Sequence, residues 1–175
     1  MRTSGVLMHI SSLPGNTGIG TLGKEAYKFV DFLKAAGQTY WQVLPLCPTS
    51  YGDSPYQSFS TFAGNPYFID FNLLCNDGLL NEEDFINIDW GKNPEKVDFE
   101  KIYENRFTVL KKAYEEFDKN SSDYRIFCED NAFWLDDFAL YMAIKEKNNG
   151  KAWNEWETNI KLRKKSILNS LKIEL

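Results

Sequence analysis

One pattern limits this chain more than any other: an apolar run, an amphipathic helix and a second apolar run, all within residues 4–46. "SGVLMHI" (4–10) has the short, unbroken apolar character of a strand buried on both faces. "LGKEAYKFVDFLKAAG" (22–37) then sets Tyr27, Phe29, Val30, Phe32, Leu33 and Ala36 at helical spacing. Thr21 is its expected N-cap, Glu25 sits in the first turn, and Gly37 is a natural stop. "TYWQVLPL" (39–46) returns as a second strand. Strand, helix, strand in that order is a βαβ unit, so the sheet is expected to be parallel and the fold class α/β.

"GIGTLG" (18–23) matches G-x-G-x-x-G, the fingerprint of dinucleotide-binding folds. The context argues against that use. "SSLPGNT" separates the motif from the end of the first strand, whereas the pyrophosphate needs the helix N-terminus directly after it. The second strand ends "VLPLCP", with no acidic residue for the ribose hydroxyls. The glycines read better as a wide loop leading into a helix, and no organic cofactor is expected.

The chain changes character near residue 75. Residues 1–75 hold four Lys/Arg and four Asp/Glu, and residues 76–175 hold sixteen and twenty-one. The first region (1–75) therefore reads as buried framework and loops, the second (76–175) as helices exposed on one side. "DFEKIYENRFTVLKKAYEEF" (98–117) sets apolar groups at 99, 102, 103, 107, 110, 113, 114 and 117, with Asp98 as N-cap. In "NAFWLDDFALYMAIKEK" (131–147), Phe133, Trp134, Leu135, Phe138 and Met142 are expected to face inward, with "NNG" (148–150) ending the helix. A further helix is expected from about Trp156 to the end.

Charge and cysteine content exclude several partners. The net charge of −5 argues against nucleic acid, and the basic run "KLRKK" (161–165) reads as a solvated helix face. Cys47, Cys75 and Cys128 are odd in number and widely spaced, and His9 is the only histidine, so no metal site is expected. Reduced thiols suggest a cytoplasmic protein. No run approaches the ~18 apolar residues of a membrane span, and the first ten residues lack a signal-peptide core.

The chemistry concentrates in "CPTSYGDSPYQSFSTFAGNPYFID" (47–70). Tyr40, Trp41, Tyr51, Tyr56, Phe59, Phe62, Tyr67 and Phe68 crowd a short stretch among Ser, Thr, Gln, Asn and Asp. Flat rings beside paired donors and acceptors suit sugars, whose faces stack and whose hydroxyls hydrogen-bond. A structural loop with its rings tucked into the core is the other reading, and composition alone leans slightly to it.

"SGVLMHISSLPG", "GIGTLG", "WQVLPLCPT", "GDSPYQSFSTFAGNPYFID" and "FWLDDFALYMAIKE" follow one another here as in the amylomaltase, or disproportionating-enzyme, family of 4-α-glucanotransferases in the α-amylase clan. The resemblance runs from Arg2 to about Trp156 and is most specific at residues 52–67. It implies the N-terminal part of a (β/α)₈ TIM barrel with a helical insertion. It also implies cytoplasmic transfer of α-1,4-glucan segments between maltooligosaccharides, without metal or organic cofactor. Tyr56 resembles the tyrosine that stacks on the sugar beside the scissile bond, and Tyr51 an aromatic that contacts glucan along the binding surface. Asp53 and Ser54 shape the same loop. His9 and Ser11 could line the same pocket, although a buried histidine bonded to a backbone carbonyl fits His9 better.

A retaining glycosyl transfer needs a carboxylate nucleophile and a carboxylic acid about 5–5.5 Å apart. Asp53 is the only carboxylate near the expected strand ends. Glu129–Asp130 and Asp136–Asp137 sit on helices, where neighbours diverge. In the family the nucleophile, the acid/base and the third carboxylate lie downstream of position 175. The chain is thus expected to bind glucan without catalysing transfer alone; a non-catalytic glucan-binding module is the alternative.

Overall fold

The computed structural model describes residues 2–175 and divides into two units, one ending at Asp118 and the other spanning Lys119–Leu175. In the first unit β1 (Gly5–Leu7) and β2 (Tyr40–Gln42) lie parallel, with Gly5 opposite Tyr40, Val6 opposite Trp41 and Leu7 opposite Gln42. The strands are shorter than the apolar runs that announce them. A bond from Met8 N to Gln42 O (3.0 Å) carries the pairing one residue further. Nor are they buried on both faces: Val6 and Trp41 are half-buried, and Leu7 and Tyr40 are exposed. A two-stranded sheet covered on one side has only one face to bury. Phe29 of the connecting helix supplies that cover, meeting Trp41 edge-on at 4.9 Å.

That helix, α1 (Lys24–Ala35), is capped by Gly23 rather than by Thr21. The Thr21 hydroxyl instead donates to Asp70 Oδ2 at 2.5 Å, a long-range bond that outcompetes the local cap. At the other end Gly37 takes φ +70°, the left-handed stop expected there. Ala26, Phe29 and Leu33 form the inward face. Tyr27, Val30, Phe32 and Ala36, expected to join it, are exposed: Tyr27 and Phe32 lie off that stripe, Val30 sits at its edge, and Ala36 follows the last residue of α1.

The glycines of "GIGTLG" serve packing. A Cβ on Gly20 would stand 1.9 Å from Ile10 O, and one on Gly23 would stand 2.0 Å from Asp70 Oδ2. The Asp70 carboxylate thus already lies against the N-terminus of α1, where a phosphate would have to sit.

Two helices complete this unit, α2 (Phe71–Asn76) and α3 (Phe99–Glu116). Their N-caps are Asp70, accepting from Leu73 N at 3.1 Å, and Asp98, accepting from Lys101 N at 3.3 Å. Ile10, Leu13, Ile19, Phe68, Phe71, Phe85, Trp90, Ile102 and Val109 share one core. Burying a side chain such as Phe71 contributes about 2–3 kcal/mol. The change in composition near residue 75 falls inside this unit, because α3 packs on the same core as residues 10–19. The buried face of α3 also differs from the expected stripe. Ile102, Arg106, Val109 and Ala113 are buried, and Tyr103, Phe107 and Tyr114 are exposed.

The second unit holds α4 (Ser122–Asp130), α5 (Leu135–Lys147), α6 (Thr158–Lys161) and α7 (Lys165–Glu174). Ile144, Trp156 and Leu171 form its core, flanked by Leu140, Tyr141, Ile160, Ile167 and Leu168. Trp134, Leu135, Phe138 and Met142 are half-buried, whereas Phe133 precedes α5 and is exposed. Asn149 (φ +54°) and Gly150 (φ +74°) end α5 as the sequence anticipates. The last helix is two helices, not one. Arg163 takes φ +52° between them, so "KLRKK" is a break rather than a continuous helix face. No helix among the described residues is long and apolar enough to cross a membrane.

Candidate functional site: the 47–65 loop

A hydrogen bond from Asn65 N to Leu46 O (2.8 Å) closes the neck of the loop that follows β2. Inside it, Thr49 and Ser58 form an antiparallel bridge, reinforced by Ser50 N to Gln57 O at 3.1 Å. Two tight turns then follow back to back. Asp53 N donates to Ser50 O (3.1 Å), with Gly52 at φ +91°, the sign that position of the turn requires. Gln57 N donates to Ser54 O (3.0 Å), with Pro55 pre-setting the second turn. Tyr51 and Tyr56 occupy the corners of these turns, and corners project their side chains outward. Tyr51 is 100% exposed and Tyr56 73%.

Ser54 and Asp53 lie between the two rings along the chain. The Ser54 hydroxyl accepts from Tyr56 N at 3.4 Å, bracing the second turn from its first residue. Asp53 is a non-glycine residue at φ +54°, a conformation Asp tolerates better than most. Burial raises its carboxyl pKa, and the nearby Thr49 hydroxyl opposes that shift. On the far side of the loop, Ser60 Oγ accepts from Phe62 N and Ala63 N, and Ser58 Oγ donates to Ser60 O. The hydroxyls therefore build the backbone as well as decorate it.

The loop stands on a firm base. Asn65 Oδ1 accepts from Tyr67 N (2.9 Å) and starts the 3₁₀ turn Pro66–Phe68. Burial pushes the Tyr67 phenol up to about 12, helped by the charge of Asp53. Beneath this turn sits Arg106, 0% exposed, its Nη2 donating to Ile69 O and its guanidinium 4.3 Å from the Phe71 ring centre. Burial lowers its pKa to about 10, while Asp70 and Tyr67 hold the charge in place. Its Nε and Nη1 find no hydrogen-bond partner among the described residues. Position 106 falls on the 102–109–113 stripe, so the periodicity marks it as buried once its charge is set aside.

His9 and Ser11 are placed differently from the tyrosines. The His9 ring meets Phe68 edge-on at 5.3 Å, and burial lowers its pKa. Among the described residues its buried Nδ1 has no hydrogen-bond partner, so the expected bond to a backbone carbonyl is not made at that atom. Ser11 contributes its carbonyl, which accepts from Gly20 N at 3.2 Å. Among the described residues no group of three or more His, Cys, Asp or Glu could hold a metal ion.

The arrangement offers two outward rings on a rigid frame, with hydroxyl, amide and carboxyl groups between and beside them. It can stack on and hydrogen-bond a polyhydroxylated ligand. It holds one carboxylate, where glycosyl transfer with retention needs two.

The chain as a whole is similar to known proteins. The chain is 52% identical to a 4-alpha-glucanotransferase of Clostridium butyricum over 96% of its own length and 35% of the relative's. It is 51% identical to a 4-alpha-glucanotransferase of Streptococcus pneumoniae serotype 4, over 99% of this chain and 35% of the relative. The solved amylomaltase of Streptococcus agalactiae in complex with acarbose superposes with a TM-score of 0.92 at 46% identity, covering all of this chain and 36% of that one. The chain thus spans about a third of the length of the relatives it matches. The sequence profile of glycoside hydrolase family 77, described as 4-alpha-glucanotransferase, matches residues 8–175, and the chain belongs to that family.

Proposed function

We propose that this chain is the glucan-binding N-terminal part of a 4-α-glucanotransferase that moves α-1,4-glucan segments between maltooligosaccharides with retention of configuration. The observation that carries the reading is the pair of outward tyrosines at successive turn corners, in a member of this family. Tyr56 stacks on the face of one glucose unit and Tyr51 on another along the chain. Ser54 braces the turn that carries Tyr56, and Asp53 offers an acceptor to sugar hydroxyls. The amylomaltase it resembles binds acarbose, a ligand of the same polyhydroxylated class.

The parallel β1–β2 pair joined through α1 supports a place as the first strands of a (β/α)₈ barrel, whose sites lie at the C-terminal ends of the strands. The 47–65 loop follows the C-terminal end of β2. Chemistry of this kind needs a nucleophile and an acid, both carboxyl groups, and no metal or organic cofactor. Asp53 alone cannot fill both roles, so this part of the enzyme binds and orients glucan. Three free cysteines suit a reducing, cytoplasmic setting.

The single carboxylate also favours a second reading, a glucan-binding module without catalysis. Incubating the product of the whole reading frame with maltotriose separates them. The transferase gives a ladder of longer maltooligosaccharides plus glucose, shortened strongly by Tyr56→Ala. Binding without any ladder would leave the module.

A further inference from the structure

We propose that the second unit carries a pyranose-binding pocket of its own, formed between α5, α6, α7 and the 3₁₀ turn Trp153–Glu155. The recess has a volume of about 300 Å³, at the small end of ligand pockets, and suits one sugar ring rather than a long chain. Trp153, Trp156 and Tyr141 supply its aromatic wall, and Asp137, Lys161 and Arg163 are its charged lining residues. Trp156 is fixed: it is nearly buried, its indole N–H donates to Lys151 O (3.0 Å), and its ring lies 5.3 Å from Tyr141. Trp153 is 57% exposed, which leaves ring surface for a ligand.

The charges choose the ligand class. Arg163 Nη2 lies 2.8 Å from Asp137 Oδ2, and the backbone of Arg163 holds a left-handed φ of +52° as it makes this pair. Lys161 Nζ donates to Asn154 O at 3.2 Å. An acceptor and a donor therefore stand side by side at the pocket. An anion would meet Asp137, a cation would meet Arg163 and Lys161, and a purely apolar ligand would leave all three unused. Neighbouring hydroxyls of a neutral sugar use both, donating to the carboxylate and accepting from the guanidinium, while the ring stacks on indole. That the sugar is an α-linked glucose unit rests on the function proposed above.

The test is a titration of the ¹⁵N-labelled chain with maltotriose, following the indole N–H resonances of Trp153 and Trp156. Both should shift saturably, and equally well in Tyr56→Ala. Trp153→Ala should abolish the Trp156 response. Arg163→Gly relieves the left-handed backbone and keeps the fold, so it should weaken binding several-fold without lowering the melting temperature. If the loop of residues 47–65 responds to maltotriose and both indoles stay still, the pocket is not a sugar site and the proposed function stands. If neither region responds, both fail. Full-strength binding in Arg163→Gly would also overturn the assigned role of the ion pair.

Discussion

Two stretches that adjoin in sequence use their aromatic residues in opposite ways. In residues 47–65, Tyr51, Tyr56 and Phe62 stand exposed on turns. In residues 66–90, Phe68, Phe71, Phe85 and Trp90 are buried in one core. Counting rings does not distinguish the stretches, but their neighbours do. Gly52, Pro55 and a series of serines turn the first backbone every few residues and satisfy it locally, leaving the rings at corners. In the second, Asp70 caps a helix and the rings line up against Ile102 and Arg106. One stretch presents its rings to solvent, the surface proposed above to meet glucan, and the other is the scaffold that holds it.

Mutations should separate the two roles. The largest effect is expected from Phe71→Ala, which empties the centre of the core and should lower stability by about 3–5 kcal/mol in chemical denaturation. A loss under about 1 kcal/mol would mean that the 66–90 stretch is not the scaffold. Next comes Arg106→Ala, which deletes the bond to Ile69 O and the stacking on Phe71, at a cost of roughly 2–3 kcal/mol. Arg106→Met keeps the volume and removes a charge that is costly to bury, so it should destabilise less than Ala. Asp70→Ala loses both the α2 cap and the Thr21 bond, for about 1–2 kcal/mol.

The smallest effect concerns His9, packed on Phe68 of the scaffold. Burial holds its folded pKa below the ordinary 6.5, so the unfolded chain takes up a proton first as pH falls. Stability should therefore decline as pH drops from about 6.5 toward the lower folded value, and His9→Gln should flatten that decline. Urea unfolding at pH 7 and pH 5 for both proteins reads the difference. An equal decline in both would assign the effect elsewhere.

Much of this arrangement is legible in the sequence. The order strand, helix, strand gives the parallel pair, and Asp98, Gly37 and "NNG" mark helix ends where they fall. What escapes is decided over long range. Thr21 looks like a cap until Asp70, distant in sequence, captures its hydroxyl. Arg106 looks solvated because a charge is assumed to seek water, although its position on the α3 stripe says otherwise. The flanking residues already argue against a phosphate loop at "GIGTLG", but not that Gly20 and Gly23 answer to the close approach of Ile10 and Asp70. The terminal helix looks continuous because nothing in "KLRKK" is a helix breaker. Arg163 breaks it by adopting a left-handed backbone while pairing with Asp137.

The most direct test of the exposed-surface reading is calorimetric titration of maltoheptaose into the protein and into Tyr56→Ala, with a thermal melt of each. Tyr56 is largely exposed, so its loss should change stability by under about 0.5 kcal/mol. The same change should weaken glucan binding roughly tenfold, the worth of one stacked ring at about 1.4 kcal/mol. Equal affinity in the two proteins, or a large fall in melting temperature for Tyr56→Ala, would contradict the division between recognition surface and scaffold.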